Sequence, residues 1–184
     1  MVAHAGPVAP AAQGPDPRII LVLGGARSGK SAYALACVER ERGGWIYLAT
    51  AEPGDKEMAA RIAEHRARRG SRWTTLEEPL DLAGALARVA GPDRAILVDC
   101  LTLWLSNLMA AGRDVEGESR RLAETLPSVR GRVVLVSNEV GLGIVPDNAD
   151  ARTFRDHAGR LHQMVAARAD QVVFVAAGLP VVVK

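Results

Sequence analysis

Aromatic side chains are scarce in this chain, at 4% of 184 residues. A core of stacked rings is therefore excluded. The 48% of apolar residues must fill the interior mainly as Ala, Val, Leu and Ile, the composition of alternating strands and helices. Cysteine is limited to Cys37 and Cys100, too few for a disulfide scaffold and without metal-ligand spacing. Both lie in apolar segments, which predicts buried free thiols in a reducing compartment. No apolar run reaches the roughly 20 residues of a membrane span. A net charge of +2 gives no reason to expect general adhesion to nucleic acid or anionic lipid. Lysine is nearly absent, only Lys30, Lys56 and Lys184; the arginine excess fits coding bias as well as phosphate binding.

The first 18 residues, rich in Pro, Ala and Gly, lack the basic start and leucine-rich centre of a secretory signal. They read as a flexible tail on a cytoplasmic protein, with one domain over residues 19–184. Within it, strand-like runs fall at Ile19–Leu23, Trp45–Ala49, Ala95–Asp99, Val133–Ser137 and Gln171–Ala176. A short last strand, Val181–Val183, is expected after a turn at Gly178-Leu179-Pro180. Helical patterns occupy Ser31–Arg42, Lys56–Arg69, Leu80–Val89, Thr102–Ala111, Glu118–Leu126 and Ala151–Ala169. Continuously apolar strands between helices predict an α/β fold, a mostly parallel sheet covered on both faces, with a C-terminal antiparallel hairpin at one edge.

Gly24-Gly25-Ala26-Arg27-Ser28-Gly29-Lys30-Ser31 fits G-x-x-x-x-G-K-[ST], and it sits where that motif needs to be, after a strand and opening a helix. Glycines let backbone N–H groups curl around a phosphate, and the helix N-terminus adds its positive end. Lys30 would reach the β/γ-phosphates, and the Ser31 hydroxyl would help hold Mg²⁺. Asp99, at the tip of a second apolar strand, is either a turn residue or the carboxylate that holds the metal or its water shell; beside a P-loop the second reading gains weight. No Asn-Lys-x-Asp occurs, so the guanine-reading loop of switch GTPases is missing. These features favour a small-molecule kinase or related transferase.

In the helix "DKEMAARIAEHRARR", Met58, Ile62, His65 and Arg69 share one face, flanked by Arg66 and Arg68. Neutral imidazole is a good nucleophile toward phosphorus, and guanidiniums would stabilise the transferring group. On spacing alone the structural reading prevails, since a histidine among arginines on a half-buried helix is usually a satisfied side chain.

The ordered series "GGARSGKS", "YLATAE", "EMAARIAEHRARR", "RWTTLEEP", "ILVDCLTLWLSNL" and "VVLVSNEVGLGIVPDNADARTFRDHAGRLHQ" closely resembles the bifunctional adenosylcobinamide kinase / adenosylcobinamide-phosphate guanylyltransferase family of cobalamin biosynthesis. The resemblance runs from about Ile19 to Lys184. It implies a three-layer P-loop NTPase fold of the RecA-like kind and a homotrimer. It also implies two reactions. ATP or GTP phosphorylates the aminopropanol hydroxyl of adenosylcobinamide, and GTP then passes GMP through a histidine to the new phosphate. The matching histidine is His65. The same resemblance places Ala49, Thr50, Ala51, Arg66, Ala67, Arg68, Arg69, Glu77 and Asp99 at the nucleotide together with the P-loop, Glu77 either on the guanine edge or on ribose hydroxyls.

"SNEVGLGIVPDN" is either a glycine-rich turn capped by Asn138 or a loop whose Asn138 and Glu139 meet a phosphate or a second substrate. His157 and His162 read as surface or polar contacts; the family pattern carries Asn in place of His162. Trp73 and Trp104 read as core or interface residues, with a flat corrinoid as another possible partner.

Overall fold

A computed structural model describes residues 16–51 and 70–184. Seven strands form one sheet: β1 (Ile19–Gly24), β2 (Gly44–Ala49), β3 (Trp73–Glu77), β4 (Arg94–Asp99), β5 (Arg132–Asn138), β6 (Gln171–Ala176) and β7 (Leu179–Val182). Their order across the sheet is β3-β2-β4-β5-β1-β6-β7. All neighbours are parallel except β6 and β7, the antiparallel hairpin at the edge. One strand, β5, therefore lies between the P-loop strand β1 and the Asp99 strand β4. This is the RecA-like arrangement of a P-loop fold.

Five α-helices are described: α1 (Lys30–Glu39), α2 (Leu82–Val89), α3 (Leu101–Ala110), α4 (Val115–Thr125) and α5 (Ala149–Arg168). Strand alternation sends successive side chains to opposite faces, and two cores result. Ile20, Val22, Tyr47, Leu97, Val134 and Val136 pack with Tyr33, Cys37 and Val38 of α1. On the other face Leu21, Leu48, Ile96, Val98 and Leu135 pack with Leu86, Trp104, Leu105, Leu122, Leu161 and Val165 from α2 to α5. Both cysteines are buried and unpaired. Among the described residues no helix is long and apolar enough to cross a membrane.

Three sequence expectations need correction. Trp73–Glu77 is a strand paired with β2, although its exposed and half-buried residues carry no strong apolar signal. Its partner in the sheet supplies the hydrogen bonds that its own pattern does not advertise. The hairpin turns one step earlier than expected, at Ala177 and Gly178, both at positive φ. That left-handed pair matches the twist of the flanking strands, so Leu179 and Pro180 already belong to β7. The starts of α4 and α5 also move upstream, whereas α2 begins two residues later than expected: Asp114 caps α4 through Gly117 N–H and Asn148 caps α5 through Ala151 N–H, as short oxygen-bearing side chains do.

Arg18, assigned to the tail, is held firmly. Its guanidinium donates to the carbonyls of Val129 and Pro127, and Asp170 accepts from the N–H groups of Arg18 and Ile19. The expected helix Lys56–Arg69 lies outside the described residues.

Candidate active site

Gly24 ends β1 and Lys30 opens α1, so the intervening residues make a loop at the carboxyl edge of the sheet, where open α/β sheets bind ligands. Two of its glycines are obligatory. A Cβ on Gly24 would lie 2.5 Å from the Val175 carbonyl oxygen, and Gly29 has φ +98°, a left-handed conformation that side chains resist. Arg27 also adopts positive φ, at 55°. The hairpin turn braces the loop from outside: Gly178 N–H donates to the Ser28 carbonyl at 2.8 Å. Lys30 is buried, and its ammonium donates to the Gly25 carbonyl at 3.2 Å. The amine is thus folded over the loop's concave side with donors to spare. Ser28 Oγ is buried without a hydrogen-bond partner among the described residues.

Across the sheet, register brings three expected residues level. Ala49 pairs with Glu77 on one side and with Asp99 on the other. Asp99 belongs to the same alternating set as Ala95 and Leu97, the set facing α1. Tyr47 is its diagonal neighbour on β2, and the phenol donates to Asp99 Oδ2 at 2.8 Å. A hydroxyl such as Ser31 and a carboxylate such as Asp99 are hard oxygen donors, the kind Mg²⁺ takes alongside phosphate and water. Thr50 is fully buried. Its hydroxyl donates to the Cys100 carbonyl and accepts from the Cys100 N–H, so this side chain locks β2 to the end of β4. Its carbonyl accepts from the Asn107 amide at 2.7 Å. His65, Arg66, Ala67, Arg68 and Arg69 lie outside the described residues.

Sequence reading singles out Asn138, Glu139 and His162 but not the residues they meet. Asn138 donates to Thr102 Oγ1 at 3.0 Å, and Thr102 in turn contacts Cys100 Sγ. A polar chain thus links the ends of β5 and β4. His162, expected at the surface or in a polar contact, is buried within α5 and makes the polar contact, with Nε2 at 2.7 Å from Ser137 Oγ and Nδ1 at 3.8 Å from Glu139 Oε2. Burial lowers its pKa, and the Glu139 carboxylate acts in the opposite sense. Tyr47 could have been found only from the pairing of β2 with β4, and the Ser137–His162 pair only from the packing of α5 on β5. Trp104 is wholly internal, its indole N–H donating to the Leu80 carbonyl, so it offers no face to a ligand. Trp73 stacks at a tilt against Trp45, with Arg72 over the Trp45 ring at 3.8 Å.

A buried-lysine P-loop on β1 and a carboxylate at the tip of β4, two strands away, define a P-loop nucleotide-binding protein of the α/β class. Residues 20–183 match the family described as cobinamide kinase / cobinamide phosphate guanyltransferase, and the chain belongs to that family. It is 51% identical over 166 residues to the bifunctional adenosylcobalamin biosynthesis protein CobP of Pseudomonas aeruginosa, covering 89% of this chain and 96% of the relative. It is 40% identical over 181 residues to the bifunctional adenosylcobalamin biosynthesis protein CobU of Salmonella typhimurium, covering 90% and 99%. A solved RadB recombinase aligns at TM-score 0.49 and 17% identity, over 85% of this chain and 73% of that one.

Proposed function

We propose that this protein performs both reactions of its family at one nucleotide site. First it transfers the γ-phosphoryl group of ATP or GTP to the aminopropanol hydroxyl of adenosylcobinamide. Then it moves GMP from GTP, through His65, to the adenosylcobinamide phosphate, giving adenosylcobinamide-GDP and pyrophosphate. The observation that carries this reading is a family match over residues 20–183 on a chain whose Lys30 is folded over a glycine loop.

The residues divide the work as follows. The N–H groups of residues 24–31 cradle the triphosphate, and Lys30 offsets charge on the β/γ-phosphates as the bond to the leaving group lengthens. Ser31 and Asp99 would hold Mg²⁺, with Tyr47 orienting the carboxylate. When bound, the ion neutralises phosphate charge and lines up the reacting oxygens. Ala49, Thr50 and Ala51 shape the nucleotide side of the cleft, and Glu77 accepts hydrogen bonds from guanine or ribose. Neutral His65 attacks the α-phosphorus, displacing pyrophosphate, and Arg66, Arg68 and Arg69 stabilise the charge on the transferring group. The corrinoid phosphate then attacks the same phosphorus and releases the imidazole.

Two further features complete the reading. A homotrimer would cover the exposed apolar Leu179, Val181, Leu142 and Ile144, a surface that edge pairing or a neighbouring subunit can bury. A cytoplasmic location suits the two unpaired cysteines. The deciding experiment incubates purified protein with Mg²⁺ and α-labelled GTP but no corrinoid. Acid-labile label on wild type that is absent from His65→Asn is the expected result. No label on folded, GTP-binding wild type would remove the transferase half and leave a kinase with a structural His65.

A further inference from the structure

Glu139 is pinned beside the phosphate loop. Its backbone N–H donates to the Gly24 carbonyl at 3.0 Å, extending the β1–β5 ladder by one step beyond the sheet. Its side chain, about one-fifth exposed, is held at both oxygens. Oε1 accepts from the Gly141 N–H, and Oε2 faces His162 Nδ1 at 3.8 Å. That distance is an electrostatic contact rather than a hydrogen bond. Behind it His162 Nε2 meets Ser137 Oγ at 2.7 Å, and Ser137 is fully buried. A buried polar pair carries a desolvation cost that an apolar pair of the same size would avoid. Elsewhere the inward face of α5 is apolar, with Ala158, Leu161 and Val165.

A carboxylate on Nδ1 favours the tautomer with hydrogen there, which leaves Nε2 to accept from the Ser137 hydroxyl. Ser137, His162 and Glu139 then form a directed line that runs to just past the carboxyl end of β5, where the Glu139 backbone N–H bonds to the Gly24 carbonyl at the start of the phosphate loop. Resting on the kinase half of the proposed function, we infer that Glu139 is the general base of the phosphorylation step and that His162, anchored by Ser137, is the positioning residue that aims its carboxylate. The substrate hydroxyl gives its proton to Glu139 as its oxygen bonds to the γ-phosphorus. The bond from that phosphorus to the β,γ-bridging oxygen breaks, and the nucleoside diphosphate leaves with the electron pair. The proton passes from Glu139 to solvent.

β1, α3 and α4 pack against α5. They bring apolar residues such as Leu21, Leu105 and Leu122 to that core. Among the described residues Glu139 is the charged group that acts on His162, and Ser137 is its neutral partner.

The test measures phosphorylation of adenosylcobinamide against pH for wild type, Glu139→Gln, His162→Ala and His162→Asn. In Glu139→Gln the turnover falls by roughly 100-fold or more, the range of a lost general base. The nucleotide KM stays within about threefold, and the acid limb of kcat/KM disappears. His162→Ala slows the step by about tenfold and displaces that limb, as loss of an orienting partner does. His162→Asn restores both, because its amide nitrogen can occupy the place of Nδ1 while giving up Ser137. Glu139→Gln with near-wild-type turnover and its acid limb intact overturns the assignment, as does His162→Asn being no better than His162→Ala. If Glu139→Gln fails to bind nucleotide, the two His162 variants decide. Wild type that binds nucleotide but never phosphorylates adenosylcobinamide overturns the underlying kinase reading instead.

Discussion

The phenol of Tyr47 donates a 2.8 Å hydrogen bond to Asp99 Oδ2 across the β2–β4 pair. The tyrosine therefore leaves the aspartate one oxygen less to orient and presents the other in a fixed direction. This relationship, rather than Asp99 alone, is the feature a metal-nucleotide complex would meet.

Tyr47→Phe keeps the ring in the α1-side core and removes that donor. The Mg²⁺ concentration giving half-maximal phosphorylation is expected to rise by roughly tenfold, the scale of losing a partner behind a metal ligand. A Mg²⁺ titration of wild type and variant, at saturating nucleotide, checks it. An unchanged midpoint would show that Asp99 needs no help from the phenol.

Ser28 Oγ is buried with no partner among the described residues. A hydroxyl in that condition contributes desolvation cost without a compensating bond. Ser28→Ala in the nucleotide-free protein is therefore expected to leave stability unchanged or raise it by up to ~1 kcal/mol. Urea unfolding decides, and a loss above ~1 kcal/mol would mean the hydroxyl is bonded after all.

His162 makes folding depend on pH. Burial holds its folded pKa below the ordinary value of about 6.5. The unfolded chain then binds more protons in mildly acid solution, so this contribution is complete above about pH 6.5 and is lost as pH falls toward the folded pKa. Urea midpoints taken from about pH 8 down to about pH 5 should drop more steeply in wild type than in His162→Asn. Parallel profiles would assign the acid sensitivity to other groups.

Trp104 is fully buried, and its indole N–H donates to the Leu80 carbonyl at 2.8 Å. Trp104→Ala is expected to cost ~3–5 kcal/mol through the cavity alone, with the orphaned carbonyl adding to it. Chemical denaturation measures the loss. A cost below about 1 kcal/mol would mean that this side of the core refills the space.

The alternation of apolar runs, the glycine-lysine-serine motif and the order of the family segments are local properties. Each is read along the chain without any contact between distant segments, so the sequence by itself determined the α/β class, the phosphate loop and the family. Strand β3 was different. Trp73–Glu77 lacks a strong apolar pattern, and it becomes a strand only because β2 offers an open edge. The level row of Glu77, Ala49 and Asp99 depends on register between segments tens of residues apart. His162 carried no signal of burial, since a polar residue in an amphipathic helix is assigned outward unless its partner is known. Tertiary structure alone decided that Ser137 is that partner. Only the packing of α5 against β5 could bring their side chains within hydrogen-bond reach, because contact between distant segments is set by the fold as a whole.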